Sequence, residues 1–191
     1  MNFENKFERA RQLAAAFGVL GLLNVERVSA YVGQDAQAPP RMLPPSTGRA
    51  NLKRLFEFLE EIDCGGDASI DHSVEAMLRR HRGRGIVVLI SDFLTTASLT
   101  RPLNLLYSAG LEVFAIQVLS PTEIDPELTG DLRLIDSETG GSLDVSSIGE
   151  LLGLYRDHRE DLETQLAREC RIRNGRFLSI SSESSLEWVL F

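Results

Sequence analysis

"VVLISDFL", Val87–Leu94, is the stretch whose reading decides the fold. Val87, Val88, Leu89 and Ile90 rise to Ser91 and Asp92, and the apolar character resumes at Phe93 and Leu94. An unbroken apolar run with β-branched residues is the pattern of a strand buried on both faces. A strand that ends on Ser-Asp puts a carboxylate at its C-terminal tip, where open α/β sheets keep their binding sites. Asp92 is therefore the first candidate to hold a metal ion or a phosphate.

The same alternation of strand and helix extends both ways. "LEVFAIQVL" (Leu111–Leu119) reads as another buried strand, and Leu99, Leu103 and Leu106 mark a helix before it that stops at Gly110. Upstream, Ile70, Val74, Met77 and Leu78 mark one helix, and Leu52, Leu55, Phe56, Leu59 and Ile62 mark another, ended by "CGGD". "RVSAYVG" (Arg27–Gly33) reads as a strand, and "APPRMLPPSTG" as a Pro-rich loop with a short edge strand at Arg41–Leu43. Phe7, Ala10, Leu13, Ala14, Phe17 and Leu20 define an amphipathic helix from about Asn5 to Leu23. Downstream, "LRLIDSETGGSLDV" has the form of a hairpin with Thr139-Gly140-Gly141 in its turn. Ile148, Leu151, Leu152, Tyr155, Leu162, Leu166 and Cys170 stripe a long helix, "GRFLSIS" is a last strand, and "SLEWVLF" a short helix or tail. This order predicts an α/β fold of three layers around a mostly parallel, doubly wound sheet, with residues 1–191 as one domain.

Composition bounds the function classes. Hydrophobic residues at 43% and charged residues at 25% are ordinary for a soluble globular chain. A net charge of -8 argues against nucleic acid or an anionic membrane surface as the main partner. Cys64 and Cys170 have no Cys or His at zinc spacing and read as buried reduced thiols. "LAAAFGVLGLL" (Leu13–Leu23) resembles the apolar run of a signal peptide, with "VSA" as its cleavage site. Glu4 and Glu8 precede that run, Glu26 and Arg27 follow it, and it is too short to span a bilayer. It reads as a core helix of a cytoplasmic protein.

No nucleotide fingerprint is present: "FGVLGLL" lies inside a helix, and "CGGDAS" lacks the lysine and spacing of a phosphate loop. His72, His81 and His158 have no spaced partner, and no G-x-S-x-G elbow occurs. Asp67, Ser69 and Asp71 open a helix directly after Gly65-Gly66. N-capping accounts for Asp67 and Ser69, and Asp92 would by the same reasoning cap the helix that follows it.

Together the stretches "KFERARQLAAAF", "ERVSAYVG", "GGDASIDHSVEAML", "GIVVLISDFL", "GLEVFAIQVLSPTEIDPELTGDLRLIDSETG" and "YRDHREDLETQLARECRIRNGRFLSISS" cover almost the whole length. In that order the chain resembles the von Willebrand factor type A-like domains of bacteria, specifically the uncharacterised family numbered fifty-eight among domains of unknown function. The resemblance implies a Mg²⁺ or Mn²⁺ at the strand tips. Its ligands would be a D-x-S-x-S motif after the first strand, a threonine from a Gly-Gly-Thr loop and an aspartate after a later strand. Asp92 matches the last position. At the loop position Asp67 follows Gly65-Gly66, and the nearest hydroxyl is Ser69. The first motif is absent, and the methionine that often closes it aligns with Met1. The metal site is thus degenerate, with Asp92 and Ser69 at most, and a metal cofactor is expected only if the missing motif lies upstream.

The expected function is a non-enzymatic protein-interaction or scaffold module whose binding surface carries Asp67, Ser69, Asp92 and Thr95. By the resemblance it works with other proteins, among them a MoxR-type AAA ATPase, without nucleic acid or membrane insertion. The rival is a small Mg-dependent phosphatase or receiver-like phosphoacceptor using Asp92. Such chemistry wants a nearby lysine, and the chain has only Lys6 and Lys53. In the resembling sheet order, 3-2-1-4-5-6, the absent first strand is central. "RVSAYVG" and "GIVVLIS" must then pair directly, or a strand from another molecule must fill the gap, and association of chains into a homo-oligomer is the expectation.

Overall fold

The structure is a computed structural model and describes residues 3–35, 37–95, 97–126, 132–135, 142–145 and 148–190. Its elements are α1 (Phe3–Leu23), β1 (Val28–Val32), β2 (Arg41–Ser46), α2 (Leu52–Glu60), α3 (Ile70–Arg80), β3 (Gly85–Ser91) and α4 (Thr100–Ser108). They continue with β4 (Leu111–Leu119), α5 (Pro121–Ile124), β5 (Leu132–Ile135), β6 (Ser142–Val145), α6 (Ile148–Arg171), β7 (Arg176–Ser181) and α7 (Leu186–Leu190). The α/β class read from the periodicity is the observed one. Each expected helix and strand is present, and β5 and β6 form the expected antiparallel pair. The turn residues Thr139, Gly140 and Gly141 lie outside the described residues.

The centre is a three-stranded parallel sheet in the order β3-β4-β7, with Val87 opposite Val113 and Phe114 opposite Arg176. Side chains alternate across it, as a two-residue period requires. Val113 and Ala115 face Leu103 and Leu106 of α4 and Leu166 and Cys170 of α6. Ile116, Val118 and Ile180 face the opposite way, onto Leu13 of α1. Helices thus cover both faces of the parallel sheet. α3 begins where Ser69 accepts the His72 backbone N–H at 3.2 Å, and Arg79 and Arg80 sit in its last turn, where cations favour the helix dipole. The glycine that stops α4, Gly110, has φ 78°, a conformation that costs other residues steric strain.

Three differences from the sequence reading have physical causes. First, β1 does not join the parallel sheet. It pairs antiparallel with β2 as a two-stranded ribbon, and Pro44 and Pro45 are tolerated in β2 because its outer side needs no ladder donors. Both β1 and β3 pack on α1, yet no backbone ladder joins them, so the direct pairing offered as one way to close the gap does not form. Second, β3 is not buried on both faces: Val87 to Ser91 are half-buried and Ile86 is 65% exposed. Its ladder uses one edge, toward β4, and no strand among the described residues takes the other. Third, Cys64 is exposed, because the glycine-rich loop after α2 carries it outward. Cys170 is buried, and burial pushes its thiol up to about 11.

Candidate functional site

The tip of β3 is held in one conformation by short-range bonds. Ser91 Oγ accepts the Phe93 N–H at 3.1 Å, and the Asp92 carbonyl accepts Gln117 Nε2 at 2.8 Å. Phe93 adopts φ 53°, a left-handed conformation that a bulky side chain rarely takes. Its ring compensates by complete burial, edge-on to Phe177 with centroids 6.5 Å apart. That turn aims the Asp92 side chain outward at the tip. Asp92 does not cap α4, whose N-cap position is Leu99 and has no side-chain cap bond. Its Oδ1 instead accepts the Leu94 N–H at 3.4 Å.

The partner of Asp92 comes from the first turns of α1. Lys6 Nζ lies 3.2 Å from Asp92 Oδ2 and 2.6 Å from Glu123 Oε1. Glu123 in turn completes the capping box of α5, with Oε2 accepting the Ser120 N–H at 2.8 Å. Its carbonyl accepts the Tyr155 hydroxyl at 2.7 Å. Burial pulls the Lys6 ammonium down. The hydrogen bond to Glu123 and the charges of Asp92 and Glu123 more than offset this, so its pKa stands above the ordinary lysine value. Burial, and next the charge of Glu123, push the Tyr155 phenol up as well. Gln117 Oε1 is buried beneath the tip with no hydrogen-bond partner among the described residues.

The other expected site residues lie on two loops, Asp67 and Ser69 before α3 and Thr95 after β3. Asp67 is exposed, and its N–H donates to the Gln34 carbonyl at 2.9 Å, tying its loop to the residues after β1. Gly66 must be glycine there: its φ is 120°, and a Cβ would overlap the Gln34 carbonyl oxygen. Ser69 spends its hydroxyl on the α3 cap, as capping chemistry implied. Thr95 is exposed, and its Oγ1 accepts the Ala97 N–H at 3.1 Å. No hydrogen bond joins Ser69 to Asp92.

Chemically, an ammonium already bridges the two carboxylates at the tip. A hard divalent cation needs several oxygen ligands and would meet Lys6 in their place, so the residues present do not fit Mg²⁺ or Mn²⁺. Among the described residues no group of three or more His, Cys, Asp or Glu is placed to hold a metal. Sequence reasoning missed Lys6, Glu123 and Tyr155. "SPTE" (Ser120–Glu123) carries a capping-box signature that could have revealed Glu123, whereas nothing local announces Lys6. The fold brings Lys6 to Asp92, so a lysine does stand beside the carboxylate and its expected lack does not exclude a phosphoacceptor.

The comparisons agree with this architecture. A family model described as "Protein of unknown function DUF58" matches residues 2–168. An uncharacterised protein of Mycobacterium bovis, Mb1516, is 31% identical over 191 residues, covering 96% of this chain and 57% of that protein. A second, MAV169 of Mycobacterium avium, is 30% identical over 150 residues, covering 77% of this chain and 87% of that protein. The chain thus spans 57% of the length of Mb1516. Among solved structures, an aerotolerance-related membrane protein from Bacteroides fragilis aligns with a TM-score of 0.56 at 18% identity, over 91% of this chain and 80% of that one. BatB from Bacteroides thetaiotaomicron, a conserved hypothetical protein, aligns at 0.53 and 18%, over 96% and 84%. These two likenesses concern the fold. Among the described residues no helix is long and apolar enough to cross a membrane.

Proposed function

The chain belongs to the DUF58 family, proteins of unknown function, and we propose that it serves as a non-enzymatic protein-interaction or scaffold module that binds through its strand-tip face. The observation that carries this reading is Lys6 set between Asp92 and Glu123. An internal cation occupies the carboxylate oxygens a metal ion would take, and phosphoryl chemistry at Asp92 would need that metal. The surface offered to a partner would carry exposed Asp67, Ser69, Leu94 and Thr95 with the half-buried Asp92. The β1–β2 ribbon forms no ladder with the parallel sheet; in a von Willebrand A-like order the first strand would lie between them. By the same likeness the partner is a MoxR-type AAA ATPase in the bacterial cytoplasm.

The test is binding of the purified chain to a MoxR-type ATPase from the same genome. Asp67→Arg with Thr95→Arg is expected to weaken binding about tenfold, equivalent to about 1.4 kcal/mol. Lys53→Glu on exposed α2 leaves it unchanged. Equal binding by both variants removes the tip face from the proposal.

The phosphoacceptor reading is kept as the alternative because Lys6 stands beside Asp92. Incubation with acetyl phosphate and Mg²⁺, followed by intact-mass measurement, is expected to yield no adduct. Titration with Mn²⁺ is expected to show no stoichiometric site. A phosphoryl adduct that disappears in Asp92→Asn overturns the non-enzymatic assignment.

A further inference from the structure

The end of the sheet opposite the tips has a different chemistry. From the last turn of α3 to the start of β3, the segment Arg79–Arg84 holds four arginines and a histidine in six positions, with no acid, in a chain of net charge -8. Arg80, Arg82 and Arg84 are exposed and make no ion pair among the described residues, and Arg79 reaches Glu75 only at 3.9 Å. Arg84 lines a cleft of about 700 Å³ at the start of β3 and β4, together with Ile86, Tyr107, Glu112, Arg173 and Asn174. Arg173 is fixed there, its Nε donating to Asn104 Oδ1 at 2.8 Å and its Nη1 to Glu169 Oε2 at 2.9 Å. The turn that carries Arg173 also exposes Arg171 and Ile172.

We infer that this basic pole is a second docking surface, and that its partner is an acidic, extended protein segment carrying an apolar side chain. Charge complementarity sets the sign: Arg84 brings an unpaired guanidinium to the cleft, exposed Arg80 and Arg82 stand in the same segment, and arginine's planar fork binds carboxylates in bidentate fashion. The apolar part follows from exposure, since Ile86, Tyr107 and Ile172 are 65%, 48% and 62% exposed around the same end of the sheet. Arginine, tyrosine and aliphatic residues around a cleft make the composition of a protein-binding hot spot. The concavity favours a peptide over a flat bilayer. Exposed aliphatic side chains beside the arginines favour a protein segment over nucleic acid, whose backbone offers them no apolar partner. The surface lies at the other end of the strands from Asp92 and stands or falls independently of the tip reading.

The probe is a fluorescein-labelled peptide repeating Glu-Asp-Leu-Asp, titrated by fluorescence anisotropy at low and physiological salt. The native chain is expected to bind it saturably. Arg80→Glu, Arg82→Glu and Arg84→Glu combined are expected to weaken binding more than about tenfold, which is about 1.4 kcal/mol. The same change of charge at exposed Arg27, Arg49 and Lys53 is expected to weaken it less than about threefold, the screened long-range share alone. An Arg→Gln triple variant checked by thermal melting reads the loss without charge reversal. The inference is overturned if the peptide does not bind or if both reversals weaken it equally. It is equally overturned if only anionic phosphatidylserine vesicles or single-stranded RNA bind in an Arg80–Arg84-dependent way.

Discussion

Lys6→Met is expected to lower the unfolding free energy by about 3 kcal/mol, the low end of what breaking a buried ion pair costs. The Lys6 and Glu123 side chains are only 11% and 6% exposed, so removing the ammonium strands a carboxylate with little water around it. Glu123 keeps its bonds to Ser120, which limits the loss. Asp92 is 43% exposed, so its pairing is solvent-screened, and Asp92→Ala is expected to cost less than about 1 kcal/mol. Glu123→Gln in the Lys6→Met background removes the stranded charge and is expected to recover more than half the loss. The pH dependence has a definite sign. The folded-state pKa of Lys6 is raised above 10.5, so its stabilisation is complete below that value and is lost only as pH rises through the higher folded value. Urea unfolding at neutral and alkaline pH measures both effects. A loss below about 1 kcal/mol for Lys6→Met would mean that the pair is mere surface charge.

The second large effect concerns association. β3 carries the apolar run of an interior strand, but among the described residues it pairs on one edge only, and β1 pairs only with β2. An open apolar edge exposes a row of N–H and C=O groups that recruits another strand. Each such group left buried without a partner costs about 1–3 kcal/mol, and pairing removes that penalty over several residues at once. Sedimentation velocity at micromolar concentration is therefore expected to show a dimer or larger species. Ile86→Lys, at the exposed start of β3, is expected to shift it to monomer, because a lysine on an edge opposes pairing. A native chain that sediments as a monomer and melts cooperatively refutes association.

Much of the fold was legible in the sequence. Leu103 and Leu106 at helical spacing, the unbroken run in β4, and Ser69 before the Ile70 helix are local signals, read over a few residues. They were enough for the α/β class, and they named Asp92 as the tip residue. They failed where an outcome depended on a neighbour. The run at Val87–Ile90 says that a strand prefers burial, but whether a second strand lies along its outer edge is a matter of sheet assembly. Cys64 and Cys170 look alike in composition, yet one rides a glycine-rich loop into solvent and the other faces β4.

The charge state of the tip is the clearest division. Asp92 at the end of an apolar run is written in eight consecutive residues, because alternating sheet geometry and strand length are local. The amine that neutralises it stands 86 positions away on α1, and the carboxylate that shares that amine follows the next strand. Coulomb attraction depends on distance in space and on the water excluded around the pair, so only the tertiary structure decided that an ammonium, Lys6, would join Asp92 to Glu123.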